Sequence, residues 1–151
     1  MQQLRILNSK DIKELNKIII SNWGCELETD CALLQSSRDK IYLISKNITQ
    51  LDLSKMRMDV VGLYIGELHE NRFRLSIEGS QIIGPKAAKN VVEVSESEMR
   101  NWLKGNDVDN ISSSKGDVIL KCGNDYIGCG SAGPECIKNF VPKNRRILSN
   151  D

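Results

Sequence analysis

Histidine is almost absent from this sequence, and aromatic residues and proline are scarce. The 151 residues include one histidine, three prolines and 5% aromatic side chains. A catalytic Ser–His or Cys–His pair would have to use His69, which lies in a charged stretch typical of a hairpin turn. Phosphate-binding loops of the GxxxxGKS/T type, and a GxGxxG motif that opens a helix, are also missing. We therefore expect a binding protein that is not an enzyme and needs no cofactor.

The five cysteines favour neither a disulfide framework nor a metal site. Their number is odd, and six residues separate each neighbouring pair among Cys122, Cys129 and Cys136. Zinc sites usually contain a pair of cysteines roughly two to four residues apart, together with further cysteine or histidine ligands. We expect reduced thiols packed as small apolar side chains in strands, and no bound metal.

Long apolar runs and an excess of charge of one sign are missing as well. No segment approaches the ~20 apolar residues of a membrane-spanning helix, and the first residues lack the apolar stretch of a signal peptide. We expect a cytoplasmic protein without membrane contact. The 21 Lys and Arg residues nearly balance 20 Asp and Glu residues, so nucleic-acid binding would require a local basic patch.

The first half of the chain has the pattern of an α+β unit. Ser9 is predicted to cap a helix that ends at Gly24. Phe73, Leu75 and Ile77 alternate with polar residues, as expected for a strand with one buried face. The predicted elements are a short strand or turn over 31–34, a strand over 41–45, a short helix or turn over 51–55, and strands over 59–68 and 72–78.

The second half is predicted to follow a junction between residues 79 and 89. A strand over 90–94 precedes Ser95 and Glu98, which have the spacing of a capping box that opens a helix. Gly105 is predicted to stop this helix. After a polar loop, strands over 116–121 and 125–129 are predicted on either side of a tight turn.

The order of these motifs resembles a PUA domain, the small pseudo-barrel named for pseudouridine synthases and archaeosine transglycosylases. That family's pattern is a helix ending in glycine, a loop, a GD strand and a GxG strand. Similar strings occur here in the same order, namely WLKGNDV, GDVILK and YIGCGSA. The resemblance covers residues 86–148. It implies a C-terminal PUA pseudo-β-barrel that binds structured RNA through the helix, the following loop and the last strands.

The whole chain resembles small archaeal and eukaryotic proteins in which a pre-PUA domain precedes the PUA domain. Their upstream unit ends in a hairpin comparable to residues 62–68 and 73–79. The resemblance implies an α/β pre-PUA domain over residues 1–84 and a PUA domain over 85–151. Relatives of this kind include ribosome-biogenesis factors, and PUA-like segments accompany RNA cytosine-5 methyltransferases. The methyltransferases' S-adenosylmethionine-binding domain and catalytic cysteine motif have no counterpart in this sequence.

A basic segment over residues 138–146 is the main candidate for RNA contact. It carries four cations and no acid, and arginine can form forked hydrogen bonds with phosphate. A glycine at position 105 would let the backbone approach a phosphate closely. The predicted RNA-binding residues are Lys104, Gly105, Asn106, Lys138, Lys143, Arg145 and Arg146. We expect these cations to be exposed, so that removing Arg145 and Arg146 would leave folding intact.

Each of these features also has a purely structural interpretation. The terminal segment could be a solvated strand. The 104–106 turn could be only the end of a helix. Gly128 and Gly130 could be the site of a bulge. Trp102 and Phe140 are expected in the core, and recognition is expected to use the shape and backbone of folded RNA because aromatics are few.

The sequence thus predicts a non-catalytic RNA-binding protein of rRNA or tRNA maturation or ribosome biogenesis. Its partners would be structured rRNA or tRNA and, through residues 1–84, an RNA-modifying enzyme or a ribosome-assembly protein. The alternative is an adaptor, or a companion subunit of an RNA-modifying enzyme, whose contacts are mainly with protein.

Overall fold

A computed structural model describes residues 4–45, 62–110, 112 and 114–147 of the chain. Its helices are α1 (Ser9–Trp23), α2 (Ile77–Ile83) and α3 (Glu96–Leu103). Its strands are β1 (Leu4–Ile6), β2 (Ala32–Ser36), β3 (Lys40–Ile44), β4 (Leu63–His69), β5 (Arg72–Leu75), β6 (Val91–Glu93), β7 (Val108–Asp109), β8 (Gly116–Cys122), β9 (Asp125–Ala132) and β10 (Cys136–Asn139). The predicted α+β class is confirmed.

The strands form two sheets of five, and the chain passes from one to the other between α2 and β6. The first sheet is an antiparallel meander in the order β1-β2-β3-β4-β5. The second has the order β6-β8-β9-β10-β7, in which β6 pairs with β8 in parallel and the other pairs are antiparallel. One apolar core nevertheless joins them, because Ile119 and Cys129 of the second sheet pack with the buried residues of the first. The division into domains over 1–84 and 85–151 stays a prediction.

An ion pair also joins the two sheets. Arg72 of β5 donates two hydrogen bonds to the carboxylate of Asp117 in β8, at 2.6 Å and 3.1 Å. Asp117 is the acid of the GD motif, and its side chain is only 3% exposed, whereas that of Arg72 is 54% exposed. The hydrogen bonds and the negative charge of Asp117 raise the pKa of Arg72 above its usual value.

The first helix begins one residue earlier than predicted. Asn8, not Ser9, is the cap: its side chain accepts a hydrogen bond from the Asp11 backbone at 2.9 Å, and Asp11 accepts one from the Asn8 backbone at 3.1 Å. Asparagine caps as well as serine does, and the reciprocal carboxylate decides between them. The helix ends as expected at Gly24, whose φ is 72°. Its buried face contains Leu15, Ile19 and Trp23.

The strand predicted over 72–78 is wrong beyond Leu75, because the chain turns there into α2. The Ser76 hydroxyl accepts a hydrogen bond from the Gly79 backbone at 3.0 Å, which caps the new helix. Ile77 continues the alternation in the sequence but packs against the core of the second sheet. The alternation of apolar residues is therefore present in the sequence, but its residues belong to two elements, β5 and α2.

Elsewhere the predicted elements agree with the structure where it describes them. Ser95 and Glu98 form the reciprocal capping box of α3. The strands predicted over 41–45, 90–94, 116–121 and 125–129 correspond to β3, β6, β8 and β9. The element predicted over 51–55 and the start of the strand predicted over 59–68 lie outside the described residues. No helix among the described residues is long and apolar enough to cross a membrane.

Two glycines of β9 allow α3 to pack closely on the second sheet. Gly128, with φ at 140°, lies beside a register shift between β8 and β9, so the bulge considered for Gly128 and Gly130 is present beside Gly128, whereas Gly130 stays in register. A Cβ atom at Gly130 would lie 2.5 Å from the Trp102 ring and 2.6 Å from the Lys138 carbonyl oxygen. The fully buried Trp102 therefore lies directly against β9, which fixes the position of α3 and of the turn that follows it.

Candidate nucleic-acid interface

The turn over residues 104–106 is held in place by its own backbone and by β10. The amides of Gly105 and Lys104 donate hydrogen bonds to the carbonyls at the end of α3. The Asn139 side-chain amide donates to the carbonyl oxygens of Trp102 and Asn106, at 2.7 Å and 2.8 Å. Asn139 therefore ties the backbone of the turn to the end of β10, the strand that also carries Lys138.

The terminal segment folds back onto the same turn. The Ile147 amide donates a hydrogen bond to the Leu103 carbonyl at 2.8 Å, so residues 141–147 pass the end of α3. Arg146 lies against Gly105, where any side chain would overlap its guanidinium group, and donates to the Val141 carbonyl at 3.1 Å. The terminal segment and the 104–106 turn, which are more than 30 positions apart in the sequence, therefore pack against each other.

The cations of this surface have different roles. Arg145 pairs with Glu78 of α2 at 2.7 Å, and Arg146 is half-buried under the contacts just described. The expectation that both are freely exposed is wrong for Arg146, because Gly105 leaves room for its side chain to pack. Lys104, Lys138 and Lys143 have no carboxylate within ion-pair distance among the described residues.

Several functional candidates were missed in the sequence. Phe140 is not in the core: it is partly exposed, and the Arg74 guanidinium carbon lies 3.8 Å from its ring centroid. Tyr42 and Tyr64 form an aromatic pair, with ring centroids 5.5 Å apart. The alternation around Phe73 does place Arg74 on the opposite face of β5, but no local pattern indicates that Phe140 lies over it.

Burial and nearby charge alter the acidity of two groups next to this surface. Burial, with the charge of Glu67, raises the pKa of Tyr64 to about 12, so its hydroxyl stays protonated as a hydrogen-bond donor. Complete burial raises the pKa of Cys129 to about 12, so this thiol is a poor nucleophile and a poor metal ligand. No group of three or more His, Cys, Asp or Glu side chains in the described part of the chain could hold a metal ion.

Thiol labelling would test the cysteine assignments. At neutral pH, iodoacetamide should modify the exposed Cys31 and Cys136 in the folded protein, and Cys129 only after unfolding. Mass spectrometry of the labelled peptides before and after adding denaturant measures this. Rapid labelling of Cys129 in the folded protein would contradict its placement between the sheets, and zinc retained by untreated protein would contradict the prediction of no metal.

The second half of the chain matches a known family. Residues 89–147 match the family model described as the methyltransferase RsmF PUA domain. The solved structure of a conserved PUA domain protein from Thermoplasma acidophilum superposes with a TM-score of 0.62 and 16% sequence identity, covering 91% of this chain and 93% of that one. The PUA fold predicted for the second half is confirmed.

Curated relatives resemble nearly the whole chain. The ribosomal RNA small subunit methyltransferase F of Vibrio cholerae serotype O1 (strain M66-2) is 27% identical over 135 residues, which are 89% of this chain and 28% of that protein. The protein of the same name from Aeromonas salmonicida is 25% identical over 138 residues, or 91% of this chain and 28% of that protein. The chain thus spans less than a third of the length of these relatives.

Proposed function

We propose that this protein binds structured RNA through the surface formed by the 104–106 turn, β10 and the terminal segment. The observation that carries the proposal is a set of lysines without carboxylate partners among the described residues of a PUA fold, Lys104, Lys138 and Lys143. Lysine side chains on a fixed frame can neutralise phosphates without losing an existing ion pair first. Arg145 can join them by exchanging Glu78 for phosphate.

The proposed targets are rRNA or tRNA during maturation, in the cytoplasm, and the proposed role is non-catalytic. The relatives are named for methylation of small-subunit ribosomal RNA, and this chain corresponds to a minor part of their length. A nucleophilic pair is not assembled in the described residues: His69 contacts Glu67 on an exposed hairpin, and the Cys129 thiol is buried. The protein would hold RNA for an enzyme without itself transferring a methyl group.

The first half of the chain is proposed to contact a partner protein, such as the modifying enzyme or a ribosome-assembly factor. Ile6 of β1 and Ile20 of α1, both in the first half of the chain, are 40% and 41% exposed. Exposed apolar side chains mark a protein interface where they form one contiguous patch. This observation also keeps the adaptor alternative open.

A lysine-to-alanine triple variant tests the RNA proposal. Replacing Lys104, Lys138 and Lys143 by alanine should weaken binding to RNA hairpins of many sequences. It should also reduce the slope of log affinity against log salt by about 2 to 2.7 units, since each lost phosphate contact removes about 0.7–0.9. Fluorescence anisotropy with a labelled hairpin, between about 50 and 200 mM salt, measures both effects. Arg146 is left unchanged because its loss would also remove packing.

Lys17→Ala is the matched control, because Lys17 is an exposed lysine of α1 that pairs with Glu14. It should leave the affinity and the salt slope unchanged. A triple variant that binds with the wild-type slope would show that RNA lies elsewhere. A wild-type protein with no salt-sensitive binding near micromolar concentration would favour the adaptor.

A further inference from the structure

A cleft lies between the first sheet and the segment that follows β10. Its volume is about 210 Å3, and its walls come from β3, β4 and β5, the start of α2, β9 and residues 140–142. Clefts that hold whole drug-sized ligands measure roughly 300–1,000 Å3, so this one suits a single small ring system. Pro142 forms its rim directly before Lys143, which places the cleft beside the basic surface.

Charged side chains form a row along one wall of the cleft. Lys40, Glu67 and Arg74 occupy paired positions across the neighbouring strands β3, β4 and β5. Two cations therefore flank one carboxylate, which gives the row a single net positive charge. That balance suits a single phosphodiester group, because Glu67 would repel a second phosphate placed beside the first.

Aromatic faces form the other notable feature of the cleft. The Arg74 guanidinium group stacks on Phe140, with its central carbon 3.8 Å from the ring centroid. Lys40 lies over Tyr64, with its Nζ 5.5 Å from that ring centroid. Both rings are only partly buried. Planar aromatic and guanidinium faces are the surfaces on which unstacked bases of RNA are held.

We infer that this cleft holds one unpaired nucleotide of the bound RNA, with its base against Phe140 and Arg74 and its phosphate near Lys40. The inference rests on the proposed function and adds a site to it. Duplex RNA bound on the basic surface would reach the cleft over Pro142. A nucleotide within a helix is stacked between its neighbours, so only a bulged or terminal one could enter. The protein would therefore prefer a helix with an unpaired nucleotide to a fully paired one.

Two RNA hairpins that differ by a single bulged adenosine provide the test. The wild-type protein should bind the bulged hairpin about tenfold more tightly than the paired one, because base stacking on an aromatic side chain contributes an effect of this order. A 2-aminopurine at the bulge should change its fluorescence on binding. Phe140→Leu and Arg74→Gln should each bring the preference between the two hairpins close to one.

Arg38→Gln is the control for lost charge, because Arg38 is an exposed arginine in the turn between β2 and β3. It should keep the tenfold preference. Phe140→Leu keeps an apolar side chain but removes the ring, and Arg74→Gln removes the guanidinium group that stacks on it. If one of the two variants folds poorly, the other still tests the stack. Thermal unfolding of each variant checks this directly.

The outcomes separate the cleft from the basic surface. If wild-type protein binds neither hairpin, the proposed function fails and the inference falls with it. If it binds both equally, or if both variants keep the preference, RNA binding stands and the cleft assignment is wrong. If adenosine monophosphate alone binds as tightly as the bulged hairpin, the cleft is a site for free nucleotides, and the inference is overturned.

Discussion

Replacing Arg72 by methionine is expected to lower the free energy of unfolding by about 3 kcal/mol. The variant keeps an unbranched apolar side chain in place of the arginine stem but leaves the carboxylate of Asp117, which is 3% exposed, without its positive partner. Removing one member of a buried ion pair costs more than the pair contributes, because water cannot reach the remaining charge. Chemical denaturation followed by circular dichroism measures the change.

A substitution of Asp117 and a double substitution of both partners make this prediction specific. Asp117→Asn should cost less, since the stranded Arg72 is 54% exposed and can turn to water. Arg72→Met combined with Asp117→Leu should recover much of the stability, because no charge is left buried. Arg5→Met is the matched control, since its ion pair with Asp11 lies at the surface. Equal stability of the wild type and Arg72→Met would show that the pair does not join the sheets as described.

Replacing Gly130 by alanine should lower the free energy of unfolding by about 3 kcal/mol, near the upper end of the cost of overpacking. The added methyl group would lie 2.5 Å from the Trp102 ring and 2.6 Å from the carbonyl oxygen of Lys138. The carbonyl belongs to the paired strand β10, so neither neighbour can move without disturbing the sheet. Thermal and chemical unfolding measure the loss, and the near-ultraviolet spectrum of Trp102 should change with it.

Gly133→Ala is the control for this prediction, because the nearest atom to its added Cβ would be 3.4 Å away. Its stability should stay within about 0.5 kcal/mol of the wild type. If Gly130→Ala is equally well tolerated, β9 and α3 are not in direct contact at Trp102. The position assigned to the 104–106 turn, and the surface built on it, would then be wrong.

Local signals in the sequence were reliable for element ends. The Ser95 and Glu98 pair and the glycine at position 24 depend on hydrogen bonds and backbone angles within a few residues, so they could be recognised directly. Errors came where two local signals competed. Asn8 and Ser9 are both good caps, and Ser76 interrupted an apolar alternation that continued to Ile77.

The candidate RNA-binding residues stay a prediction, although the terminal segment and the 104–106 turn do pack against each other. Their availability could not be inferred, because Arg145 meets Glu78 from an element absent from the prediction, and Arg146 fills the space beside Gly105. The cleft was missed entirely, since its two aromatic faces come from opposite halves of the chain.

The sequence by itself determined the α+β class, two of the three helices, most strands and the order of the PUA motifs. These features follow from the spacing of apolar residues, from helix caps and from turns, whose energies depend on neighbours a few positions away. Only the tertiary structure decided that Asp117 pairs with Arg72, that Trp102 lies on Gly130, and that Arg74 stacks on Phe140. Each of these contacts joins residues more than 25 positions apart, and their geometry exists only after the two sheets pack on a shared core.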